Sequence, residues 1–307
     1  MTASSNAPGP DPFRQAAPVL IHRWTQIWTT IKPTLRFLME TEVHVYSFSI
    51  AANILLSFFP FLLTIILIFR SVFHWEAGVQ AVLLAVNDSF PDSSHHNYVD
   101  IGRSLQDVAG IHHGISLVSL LLLFFTANGI FEPLEVALNR AWKVTKNRSF
   151  LQNQIVSMGL IFVCGVLVLL SAVLTAWNRQ ILATAFGDGL AAEFAGTLGF
   201  KLVLLPISMV MIFLIYWILP NCKVPARRLI PVSVAVGILL EALKYFNILT
   251  WPWLKVKLTG EEGLFIHSVS IILWSFLGAM IVLAGAEWSA RVTLEIEQPT
   301  EDVNRLG

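Results

Sequence analysis

The chain has 307 residues, 55% of them hydrophobic and 13% charged, with a formal net charge of zero. A soluble domain carries about 25% charged residues, so one helical membrane bundle fits this composition better than two soluble domains. The balanced charge argues against a nucleic-acid partner. Two cysteines, Cys164 in an apolar run and Cys222 in a short basic turn, make neither a disulfide framework nor a zinc site.

Residues 1–18 are rich in Pro, Ala and Ser and lack an apolar core, so the expectation is a disordered tail without a cleavable signal peptide. In residues 19–46, Val19, Ile21, Trp24, Ile27, Trp28 and Ile31 recur at near-helical spacing. That pattern predicts amphipathic helices on the membrane surface, with Trp at the headgroups and a break at Pro33.

The first uncharged run long enough to cross a bilayer is 48–69, since a hydrocarbon core needs about 20 apolar residues. It would act as an uncleaved signal anchor. It holds Asn53, Ser57 and Pro60 on one helical face, and Pro60 is expected to kink it.

A hydrophilic insert, 71–113, follows, with short helices expected at 75–86 and 98–109. The second span is 114–131, ended by Glu132-Pro133, with Pro133 opening a new helix over 133–145. The third span is 155–177, trailed by a weakly apolar helix at about 180–195. The fourth, 202–219, contains Pro206, and the turn PNCKVPARR leads into the fifth, 229–250. A loop, WPWLKVKLTGEEG, precedes the sixth at 265–288, and 292–307 reads as a polar tail. The predicted fold is therefore all-α, a polytopic bundle of six transmembrane helices.

Six spans place both termini on one side. Lys and Arg concentrate in the segments sharing that side: Arg140, Lys143, Lys146 and Arg148; Lys223, Arg227 and Arg228; Arg291. The positive-inside rule then puts both termini in the cytoplasm. No repeat between the halves is visible, so an inverted-repeat transporter is not indicated.

Four stretches carry a family resemblance: SIAANILLSFFPFLLTI, LNRAWKV, IYWILPNCKVPARRLIPVSVAVGILLEALKYF and LWSFLGAMIVLAGAEWSA. In this order and spacing they resemble the YihY/virulence factor BrkB family of bacterial inner-membrane proteins, over most of residues 35–291. The resemblance implies six helices, cytoplasmic termini and the bacterial cytoplasmic membrane. Members have been linked to serum resistance and envelope lipid phenotypes and have carried a ribonuclease BN label.

Intramembrane polar residues supply the candidate sites. Glu241 and Lys244 are three apart on one helix and can meet. They form a polar gate or a headgroup contact, or else a plain internal ion pair or a Lys244 that snorkels outward. Ala284, Gly285 and Ala286 allow close helix approach beside Glu287. Asn53, Asn128, Asn139, Arg140 and Glu287 are expected at similar depth, as one cytoplasmic-side polar cluster with Ser57 further in. Such a cluster either glues the bundle or lines the mouth of a cavity.

His95-His96 and His112-His113, with Asp88, Asp92 and Asp100, offer metal-ligand types, but their spacing fits a solvated loop better than a metal site. No P-loop, GxSxG or HExxH occurs, so neither a catalytic residue nor a cofactor is expected. The expected function is transport or handling of a lipid or other amphiphile, with membrane lipids as partners. The alternatives are a structural or assembly component and, last, a ribonuclease. Oligomeric state is left open.

Overall fold

The computed structural model describes residues 29, 31–89, 117–145, 148–186, 205–258 and 263–305. Among them the chain forms eight helices and no strand. They are α1 (31–38), α2 (Thr41–Ser71), α3 (Glu76–Ser89), α4 (Leu117–Ala141), α5 (Phe150–Phe186), α6 (Leu205–Ile218), α7 (Ala226–Leu258) and α8 (Gly263–Arg305). An all-helical bundle is what a bilayer demands, because only a helix or a closed barrel satisfies its own backbone groups in lipid.

Among the described residues, four stretches are long and apolar enough to cross a membrane: Thr41–Ser71, Leu151–Ser171, Ala226–Leu254 and His267–Leu294. They coincide with the first, third, fifth and sixth expected spans. The second falls on α4, and the fourth on α6, of which 14 residues are described.

Helix boundaries depart from expectation at prolines. The break expected at Pro33 lies instead at Met39–Glu40, with Pro33 inside α1. Pro133 was expected to begin a separate helix, yet α4 runs unbroken through it to Ala141. The WPWLKVKLTGEEG loop is likewise helical as far as Leu258, through Pro252. Each proline removes a single backbone bond, to the Gly129 or Ile248 carbonyl, and membrane helices packed on neighbours tolerate that loss. The tail beyond Arg291 continues α8 to Arg305. Of the short helices expected, 75–86 appears as α3, the start of 180–195 is the end of α5, and 98–109 lies outside the described residues.

α2 is the central element, packed on α4, α8 and α3. It runs antiparallel to α4: Arg140 pairs with Glu40 and Glu42 at one end, and Asn53 lies on Gly129 further along. α7 and α8 form an antiparallel pair, with Arg228 donating to the Thr293 carbonyl at 3.2 Å and the Trp251 ring 6.0 Å from His267. Two apolar cores result. One joins the start of α2, the end of α4, α6, the start of α7 and the end of α8 around Leu138, Tyr216, Leu229 and Leu283. The other joins the end of α2 to α3, Trp251 and Ile271. α5 is peripheral, and its exposed Leu151, Ile155, Phe162, Val166 and Leu170 form a face suited to lipid.

Candidate functional site

Of the five residues expected as one cluster, the four whose side chains are described fall into separate local arrangements. Asn53 donates from Nδ2 to the Ser49 carbonyl of its own helix at 2.9 Å. Its carboxamide fills the space that a side chain on Gly129 would need, so glycine lets α2 and α4 close together there. Ser57 donates to the Asn53 and Ile54 carbonyls at 2.8 and 3.2 Å, again within α2. Asn128 lies in α4, and its side chain is outside the described residues.

Arg140 is half-exposed and answers Glu40, at the N-cap of α2, and Glu42 in its first turn. Exposed pairs of this kind contribute at most about 1 kcal/mol. Glu287 belongs to a different arrangement. Its Oε2 accepts from Thr34 at 2.5 Å and its Oε1 from Arg291 Nε at 3.1 Å, while Arg291 also donates to Thr34 at 3.4 Å. This triad ties α1 to α8. Glu287 therefore answers Thr34 and Arg291 rather than Asn53 or Arg140, and the side chain of its third expected partner, Asn128, lies outside the described residues.

Asn139 leads to a residue that the sequence reading did not single out. Its Nδ2 donates to Glu135 Oε1 at 3.3 Å, and its Oδ1 accepts the Asn221 backbone N–H at 2.8 Å. Glu135 is only 4% exposed. Its other oxygen, Oε2, and both polar atoms of the Asn221 side chain are buried without a hydrogen-bond partner among the described residues. The signal for Glu135 was its spacing of four from Asn139 on one helix, which lets the two side chains meet.

The turn bearing Asn221 is held from a third direction. The Arg148 guanidinium donates to the Ile218, Leu219 and Pro220 carbonyls at 3.2, 3.3 and 3.0 Å. These are orphan acceptors at the end of α6, and a cation there also suits the helix dipole. Burial pushes the neighbouring Cys222 thiol above its ordinary range, and the Arg148 charge partly opposes that shift.

Glu241 and Lys244 do pair, at 3.6 Å on α7. Their side chains are 26% and 43% exposed, so the pair is not an internal lock. It lies on a helix whose Ile238, Leu239, Phe246 and Leu249 are also exposed. One or two turns on, Asn247 Oδ1, Ser270 Oγ and Trp274 Nε1 are buried between α7 and α8 without partners among the described residues, and Phe246 stands edge-on to Trp274 at 5.7 Å. The histidine-rich stretch of the insert lies outside the described residues; among those described, no three His, Cys, Asp or Glu converge on a metal position.

Long apolar helices wrapped around a few enclosed polar groups define an integral, multi-pass helical membrane protein. The chain belongs to the Virulence factor BrkB family, whose profile matches residues 34–305. It is 26% identical over 242 residues to a UPF0761 membrane protein of Acinetobacter baylyi, covering 76% of this chain and 55% of that one. A Psychrobacter relative of the same description is 26% identical, covering 80% and 45%. One from Pseudoalteromonas translucida is 24% identical, covering 86% of each chain. The chain thus spans about half the length of the first two relatives. No solved structure is significantly similar.

Proposed function

We propose that this protein handles a lipid or other amphiphile at the bacterial cytoplasmic membrane, through six spans with both termini in the cytoplasm. The observation that carries the reading is the Glu241–Lys244 pair, part-exposed on an apolar, outward-facing stretch of α7. Charges within membrane helices ordinarily face protein or a wet cavity. A pair open sideways, beside buried unpaired Asn247, Ser270 and Trp274, suits a headgroup entering laterally between α7 and α8 while its acyl chains stay in lipid. Support for the orientation comes from one end of the bundle, where Arg140, Arg148, Arg228 and Arg291 gather and each engages a neighbouring element.

The test is mass spectrometry of lipids that co-purify in detergent, together with lipid flux in liposomes. The wild type is expected to enrich one lipid class, and the double variant Glu241→Gln, Lys244→Gln to lose it at unchanged folded yield. A wild type with no enriched lipid and no flux would remove the reading. A structural role has its own supporting observation in the Thr34–Glu287–Arg291 triad, whose groups bond one another. On that role the double variant would leave lipid content unaltered.

A further inference from the structure

We propose that Glu135, Asn139 and Asn221 build a binding site for one monovalent alkali cation, at the junction of α4 with the turn between α6 and α7. It stands apart from the α7–α8 seam and does not depend on an amphiphile being carried.

Charge is the first argument. Glu135 is a carboxylate on a membrane-bundle helix, 4% exposed, and among the described residues no salt bridge reaches it. A buried carboxylate is costly unless a positive group or hydrogen-bond donors answer it. Asn139 Nδ2 supplies one donor to Oε1 and leaves Oε2 unanswered. The nearby arginines are committed elsewhere, Arg140 to Glu40 and Glu42, and Arg148 to three carbonyls.

The second argument is field. α4 ends at Ala141 and α6 at Ile218, and the Asn139–Asn221 hydrogen bond joins those two ends. Each helix C-terminus carries roughly half a negative charge. Arg148 answers the α6 end and Arg140 lies in the last turn of α4, so the enclosed carboxylate is the negative charge that remains to attract a cation.

The third is donor chemistry. The unpartnered acceptors are hard oxygens, Glu135 Oε2 and Asn221 Oδ1, both enclosed. Hard oxygens select alkali and alkaline-earth ions over transition metals. A single carboxylate balances one positive charge, whereas divalent sites commonly gather several carboxylates. Ser47, fully buried with an unpartnered hydroxyl, lies at the level of Glu135 in the antiparallel α2–α4 pair, between the Arg140 and Gly129 contacts. An ion held here clamps α4 to the α6–α7 turn.

The experiment is thermal unfolding of the purified full-length protein in detergent. NaCl or KCl replaces N-methyl-D-glucamine chloride at constant ionic strength. The wild type is expected to show a saturable rise in Tm of about 2–4 °C with one of the two ions. Glu135→Gln, nearly isosteric and uncharged, is expected to show a flat Tm. If Glu135→Gln gives no folded protein, Asn221→Ala serves instead, with half-saturation moved to about tenfold higher salt, a loss of roughly 1.4 kcal/mol in binding. A wild-type Tm identical in sodium, potassium and the organic cation overturns the proposal, as does a variant that responds like the wild type. Lipid co-purification is read separately, so either idea can fail without the other.

Discussion

A methyl group decides whether α8 can sit where it does. A Cβ at Gly285 would run into Val236 on α7 and the Tyr216 hydroxyl on α6, and that hydroxyl is held by a 2.6 Å bond to the Val282 carbonyl. Val236 is β-branched and stiff, so it yields little. Gly285→Ala is expected to destabilise the protein by about 1–3 kcal/mol, the usual cost of overpacking. Gly159 on α5 is the control: an added Cβ there meets nothing within 4 Å, and Gly159→Ala should be neutral or stabilise by up to about 1 kcal/mol. Thermal unfolding in detergent measures both. The run Ala284, Gly285, Ala286 advertised a close approach in the sequence, but its partner was hidden. Small residues announce proximity and carry no address.

At the scale of helices, Arg148 is the most consequential side chain outside the cores. One guanidinium holds three carbonyls of the α6 end and thereby positions the turn that carries Asn221. Arg148→Ala should cost about 2–4 kcal/mol, from charge-assisted hydrogen bonds lost and carbonyls left unanswered. Arg148→Lys should recover less than half of that, because an ammonium lacks the planar fork. Denaturant or thermal unfolding of the two variants checks the order. Sequence reasoning counted Arg148 only as a topological charge, since nothing local links it to a carbonyl 70 residues away. The prolines erred in the opposite direction. Local rules made Pro133 and Pro252 boundaries, whereas packing on neighbouring helices keeps α4 and α7 continuous.

For the molecule as a whole, the proposed orientation makes Cys222 cytoplasmic and leaves Cys164 within the α5 span. A membrane-impermeant maleimide should therefore label Cys222 in inside-out vesicles and not in intact spheroplasts; labelling from outside would invert the topology. The reaction should also be slow at neutral pH and accelerate as pH rises, because burial disfavours the thiolate. Arg148→Gln should slow it further at a given pH, since the positive charge that opposes the shift is gone.

Hydropathy by itself determined that this is a helical membrane protein, and where its long apolar helices lie. It is a property of single segments facing a uniform solvent, so it survives without knowledge of any neighbour. The ion pair of Glu241 and Lys244 was legible for the same reason, being three residues apart on one helix. Only the tertiary structure decided that Glu287 answers Thr34 and Arg291 rather than Asn53, that Asn139 reaches Asn221, and that Glu135 is enclosed with one oxygen unpaired. Those facts depend on which helix faces which and at what level, and in lipid an apolar face reads alike whether it meets another helix or an acyl chain.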